Sequence, residues 1–231
     1  MWSALRGTVS TYSFSSHTHS TFSVLYDHFM TRPAKTAMSL RERQRAATRV
    51  ALLDAALQVF SEVGFGLAAV EDIAAAAGAS KGTLYTYFPD GKNGLFRELY
   101  SDLGRRTIER AEELRAKEKD PRERIMAVAR ALLEVCTDPV VGRFYMIDGP
   151  ALGQVVKPVL GTTSGRFQEL IAADLREARR GRKPPKPGDV DVLAALLVGA
   201  MRPAGQKMAE DPGALDDLLD GIGVLVDGVV N

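Results

Sequence analysis

The sequence predicts an all-α protein, with an N-terminal helix-turn-helix head of three helices and a larger C-terminal helical body. Apolar residues recur at three- and four-residue intervals in segment after segment, the spacing of one side of a helix. No stretch of any length alternates apolar and polar residues as a half-buried strand would. Residues 70–88, VEDIAAAAGASKGTLYTYF, read as two short helices joined by a tight turn, and the rest of the chain is organised around them.

Residues 1–37 lack this periodicity. They are rich in Ser and Thr, which interrupt every apolar run, so no signal peptide is read there. All three histidines lie in this stretch. His17 and His19 have no Cys, Asp or Glu within a few residues, and no metal site is expected. The segment is expected to be a disordered tail, or an extension absent from a native product that starts at Met38. Residues 38–89 are expected to form the head and residues 90–231 the body.

Arg41, Arg43, Arg45 and Arg49 stand against Glu42 alone. They fit either a solvated helix start or an arm that adds sequence-independent attraction to phosphate. A first helix runs to about Val63, with Val50, Leu53, Leu57 and Phe60 on one side. Gly64 suits the left-handed position that ends helices. In the next helix Glu71 and Asp72 occupy the first turn, where negative charge is favoured, and Val70, Ile73, Ala74 and Ala77 form its apolar side. Gly78 can turn the chain sharply. Ser80 is a good N-cap. Leu84 and Phe88 face inward, and Pro89 stops the second helix. Helix, glycine-containing turn, helix is the pattern whose second helix enters the DNA major groove. Outward on that helix stand Lys81, Gly82 and Thr83, for base edges or phosphate, and Tyr85 and Tyr87, whose hydroxyls can reach phosphate oxygens. The plainer reading makes Ser-Lys-Gly-Thr a helix cap and the tyrosines half-buried core.

Residues 48–99 resemble the DNA-binding domain of the TetR family of transcriptional regulators. The matching residues are Phe60, Gly64-Phe65, Val70 to Ala74, Ala77-Gly78, Ser80 to Tyr85, Tyr87 to Pro89 and Leu95-Phe96. The resemblance implies DNA contacts from Arg45, Thr48, Ser80, Lys81, Gly82, Thr83, Tyr85, Tyr87 and Lys92. Three departures stand out. Ala68 and Ala69 replace the usual capping Thr or Ser. Asp90-Gly91-Lys92-Asn93-Gly94 stands where the family commonly has Ser-Lys-Glu. Tyr87 stands where a His is common.

In the body, Asp90 is expected to cap a helix with Leu95, Phe96, Leu99, Tyr100 and Leu103 on its apolar side, joining head to body. The charged run 105–120 reads as a solvated face. Pro121 opens a helix carrying Ile125, Val128, Leu132 and Val135. Residues 137–153 are irregular. A helix then starts near Pro158 or Gly165 and runs to about Arg180, and a Pro-rich connection follows at 181–188. Asp189 caps a helix to about Arg202, which Pro203 ends or kinks. A last helix runs from about Pro212 to Val230. The resemblance implies a homodimer, its interface expected on the helices at 165–180 and 189–202, and a small-molecule pocket. Candidate lining residues are Met126, Phe144, Tyr145, Met146 and Phe167, all of which suit plain core equally.

Composition narrows the function. Thirty Lys and Arg against 29 Asp and Glu leave a net charge of +1, so attraction to nucleic acid must be local. The single cysteine, Cys136, excludes an internal disulfide and fits a reducing, cytoplasmic setting. No apolar run approaches the ~18 residues of a membrane span. Outside the first 37 residues there is no histidine, Cys136 has no neighbour to activate it, and spacing does not pair Glu134, Asp148 and Asp174. No catalytic residue, metal or cofactor is expected, and an enzyme is not. The expected function is sequence-specific binding of a palindromic double-stranded DNA operator by a repressor that a small molecule releases. The alternative is an activator or co-regulator without such a ligand.

Overall fold

The computed structural model describes residues 39–180 and 188–230, and among these no strand occurs. The expectations for residues 1–37 and for the Pro-rich connection at 181–187 lie outside the described residues. Helix α1 spans Leu40–Leu67, α2 Val70–Ala76, α3 Lys81–Tyr87 and α4 Lys92–Arg115. The body continues with α5 (Pro121–Val135), α6 (Pro139–Arg143), a π-helical turn (Phe144–Asp148), α7 (Gly149–Ala151) and α8 (Gly153–Val156). It ends with α9 (Thr162–Ala178), α10 (Val190–Glu210), a 3₁₀ turn (Pro212–Ala214) and α11 (Leu215–Val230).

A capping box starts α1: the Ser39 hydroxyl accepts from the Glu42 amide, and the Glu42 carboxylate accepts from the Ser39 amide at 2.8 Å. The helix runs four residues beyond Val63, bent at Gly64. Gly64 has the expected positive φ of 76°, but its ψ of 158° places it in a region essentially reserved for glycine rather than in the left-handed helical one. Against expectation, α1 holds an 18-residue window of mean hydropathy 1.5, long and apolar enough by composition to cross a membrane. Its Leu52, Leu53, Ala56, Leu57 and Phe60 are buried in the head.

That head core joins α1 to Ile73 of α2, Leu84 of α3 and Leu95, Phe96 and Leu99 of α4. Each such side chain contributes roughly 1.5–3 kcal/mol on burial, which is what lets two seven-residue helices exist at all. Gly78 makes the turn at φ 64°. No side chain caps α2 at Ala69. Helix α4 starts at Gly91, at φ 56°, and not on an Asp90 cap. The Asp90 carboxylate is taken by Arg97 instead.

In the body, α5, α9, α10 and α11 surround one apolar core that includes Ile125, Leu133, Ile171, Leu175, Met201 and Val226. The charged run of α4 is not a wholly solvated face. Arg106 is buried beside Asp102 at 2.7 Å, and Arg115 reaches the buried Asp174 at 2.8 Å. Asp174 also binds Arg124 at 2.7 Å, so one buried carboxylate ties α4 and α5 to α9. Helix α10 does not end at Arg202 but runs through Pro203 to Glu210. An interior proline costs roughly 3 kcal/mol; burial of Met201, Ala204 and Met208 on either side offsets it. Helix α9 turns Phe167, Leu170, Ile171 and Leu175 into the core. The exposed large apolar side chains of the last two helices are Val192 and Leu196 of α10 and Val224 and Leu225 of α11.

Candidate nucleic-acid interface and cavity

Helix α3 presents its outward residues on a rigid turn. Ser80 caps it, its hydroxyl accepting from the Thr83 amide at 3.0 Å and lying 2.9 Å from the Thr83 hydroxyl. Lys81, Gly82 and Tyr85 are exposed, and Thr83 and Tyr87 half-buried. Lys81 pairs with Glu71 of α2, and that hydrogen bond raises the Lys81 pKa and lowers that of Glu71. The ammonium is therefore held beside the helix start until a stronger anion competes for it. The Arg45 guanidinium lies 5.8 Å from the centroid of the Tyr87 ring, so the basic start of α1 meets the end of α3.

Two expected contacts carry other duties. The Thr48 hydroxyl donates to the Gln44 carbonyl at 3.0 Å. Lys92, expected at phosphate, donates to the carbonyls of Phe65, Gly66 and Ala68 at 2.9, 3.2 and 3.1 Å. Its nitrogen also sits 4.8 Å from the centroid of the Phe65 ring. The end of α1 has no basic residue of its own, and Lys92 supplies the cation that a helix C-terminus favours. Arg49, though exposed, is likewise engaged within the head, paired with Glu98 of α4 and 5.2 Å from the Phe88 ring centroid.

The body holds a cavity of about 240 Å³. Of the candidate lining residues, Tyr145, Met146 and Phe167 border it, and Met126 and Phe144 do not. Met126 packs against the core elsewhere, and the Phe144 ring stacks on Phe96 at 4.5 Å between centroids, in series with Phe60 and Phe65. Reading the sequence missed Tyr100, Thr163 and Arg202 as lining residues. Tyr100 stands 5.0 Å from Tyr145, ring to ring, and the Tyr145 hydroxyl donates to Thr163 at 2.8 Å. A side chain at Gly104 would crowd that bond, coming 3.1 Å from the Tyr145 hydroxyl. Burial raises the pKa of both tyrosines, so both stay protonated donors at neutral pH. The buried Cys136 thiol is pushed up to about 12, which makes it inert packing.

A capped recognition helix on a three-helix head, joined by one long helix to an all-helical body, defines a helix-turn-helix DNA-binding regulator. The family profile for bacterial regulatory proteins of the tetR family matches residues 52–99. The transcriptional repressor LfrR of Mycolicibacterium smegmatis is 30% identical over 193 residues, covering 81% of this chain and 92% of that one. The chain therefore belongs to the TetR family of transcriptional regulators. A TetR-like regulator from Rhodococcus sp. RHA1 is 25% identical, with a TM-score of 0.62 over 83% of this chain and 96% of that one. The fatty acid degradation regulator FadR of Bacillus halodurans shares the fold, with a TM-score of 0.66 at 20% identity, over 78% of this chain and 95% of that one. Bacillus subtilis FadR, solved with stearoyl-CoA, has a TM-score of 0.62 at 20% identity, over 78% of this chain and 97% of that one.

Proposed function

We propose that this chain is a cytoplasmic, sequence-specific repressor, released from its operator when a small molecule occupies the body cavity. One observation carries the reading: α4 serves both sites. Its Leu95, Phe96 and Leu99 are head core, and Tyr100, the next residue, lines the cavity. The stack of Phe144 on Phe96 gives a second path, because Tyr145 and Met146 beside it line the cavity too. A ligand that fits only one placement of these rings shifts the head by its difference in affinity for the two states. Lys81 and the basic start of α1 supply salt-dependent phosphate attraction, and Thr83 and Gly82 approach base edges.

Two heads reading a palindrome must stand about 34–36 Å apart, which a symmetric dimer provides. In place of the expected pair at 165–180 and 189–202, the surface proposed to meet its copy lies on α10 and α11, where Val192, Leu196, Val224 and Leu225 are exposed, because α9 turns its apolar residues into the core. B. subtilis FadR, solved in complex with stearoyl-CoA, gives a precedent for a ligand-bound regulator of this fold. The test is a compound screen against the protein bound to DNA from its own flanking region. A compound that binds is expected to release the DNA, and Phe144→Ala is expected to keep binding while losing release. Compounds that bind tightly and release nothing would overturn the reading.

A further inference from the structure

We propose that the body cavity is built for an organic anion, a carboxylate or like headgroup on a compact apolar body. The proposal rests on the ligand-release reading above and names the chemistry of its ligand. Leu132, Met146, Phe167 and Val198 give the cavity an apolar floor. The polar side chains around it can all donate hydrogen bonds, the hydroxyls of Tyr100, Tyr145, Thr163 and Ser164 and the Arg202 guanidinium, and the guanidinium can only donate. Tyr145 already donates to the Thr163 oxygen, which leaves the Thr163 proton for something else. Among the described residues, the Tyr100 and Ser164 hydroxyls and the Arg202 guanidinium have no hydrogen-bond or ion-pair partner.

Charge decides between ligand classes. Among the described residues no Asp or Glu lines this cavity, while Arg202 does; the adjoining cavity of about 320 Å³, which shares Tyr100, Val159 and Thr163, holds Glu109, but Arg105 at 2.7 Å already matches it. Four other arginines of the body are matched, Arg115 and Arg124 by Asp174, Arg122 by Asp227 and Arg166 by Glu112, while the exposed Arg130 is not, among the described residues, but lies away from the cavity lining. A cationic ligand would meet like charge with no counter-ion. A neutral one would gain little from the guanidinium, which stays hydrated because Arg202 is exposed. An anion completes the set, accepting from Arg202 and from the hydroxyls. Helix α9 begins at the same cavity with no side-chain cap on its first turn, so its positive end adds to Arg202. The cavity, about 240 Å³, has room for a short apolar body.

Calorimetry on the full chain with octanoate, octan-1-ol and octylammonium separates headgroup charge from chain. Octanoate is expected to bind about tenfold or more tighter than either of the others. Arg202→Gln is expected to lower octanoate affinity about tenfold and leave octanol unchanged, and Arg202→Lys to keep most of it. Arg202 is exposed, and a thermal melt of each variant checks that folding is intact. Octanol binding as well as octanoate, a preference for octylammonium, a silent Arg202→Gln or no binding by any of the three overturns the anion assignment. Anisotropy of bound DNA keeps the two readings apart. Octanoate that binds without releasing DNA contradicts ligand release and supports the anion site. Release driven equally by octanol or octylammonium contradicts the anion site and supports ligand release.

Discussion

The outward side of α3 in the head and the cavity of the body are assembled from different ranges of the chain. Lys81, Gly82, Thr83 and Tyr85 sit on one seven-residue helix whose cap, Ser80, is the residue before it. The cavity gathers Tyr100 of α4, Tyr145 of the π-helical turn, Thr163 of α9 and Arg202 of α10. The head's chemistry therefore follows from local rules of capping and turn, once a core holds the helices. The cavity's chemistry exists only after the body has packed. Mutations ought to respect that division, and each prediction below is a way to break it.

The largest effect is expected at Asp174, which no rule of local sequence singles out. Removing the carboxylate leaves Arg115 without its ion-pair partner and Arg124 with Glu177 alone, and Asp174→Asn is expected to cost roughly 3–5 kcal/mol, read by denaturant unfolding. A loss under about 1 kcal/mol would mean that the body does not depend on this long-range network. On the DNA side, Thr83→Ala is expected to change preference among sites by about 1–3 kcal/mol, measured by competition between duplexes. Lys81→Ala is expected to weaken all sites alike and lower the salt slope by about 1. Lys81→Ala should leave the melting temperature nearly unchanged, because that side chain is exposed, and Thr83→Ala should lower it only slightly, through the lost hydroxyl contact with Ser80.

Smaller effects sharpen the boundary. Ser80→Ala removes a cap and is expected to cost about 1 kcal/mol of stability. Lys92→Met is expected to cost about 1 kcal/mol too, because three carbonyls at the end of α1 lose their cation. If Lys92→Met instead weakened DNA binding with stability untouched, Lys92 would be a phosphate contact after all.

What could be read in advance divides the same way. The turn at Gly78, the Ser80 cap, the inward Leu84 and the proline start of α5 were legible, since each depends on residues a few positions apart. Lys92 was not, because its carbonyl partners lie 24 to 27 residues away. Pro203 misled because its local cost is offset by tertiary burial on both sides of it. Phe144 and Phe167 looked alike as apolar aromatics, yet one stacks toward the head and the other lines the cavity. Arg202 drew no notice, since it stood where the helix was expected to stop. The π-helical turn has no sequence signature, and it helps set which neighbour each of Phe144, Tyr145 and Met146 meets.

The central claim is that this head reads DNA sequence. It is tested most directly by fluorescence anisotropy of the full chain with DNA from its own flanking region, beside a scrambled duplex, at two salt concentrations. The account predicts tight binding to the native fragment, weakening as salt rises, and much weaker binding to the scramble. Equal binding to both duplexes, at either salt concentration, would contradict it.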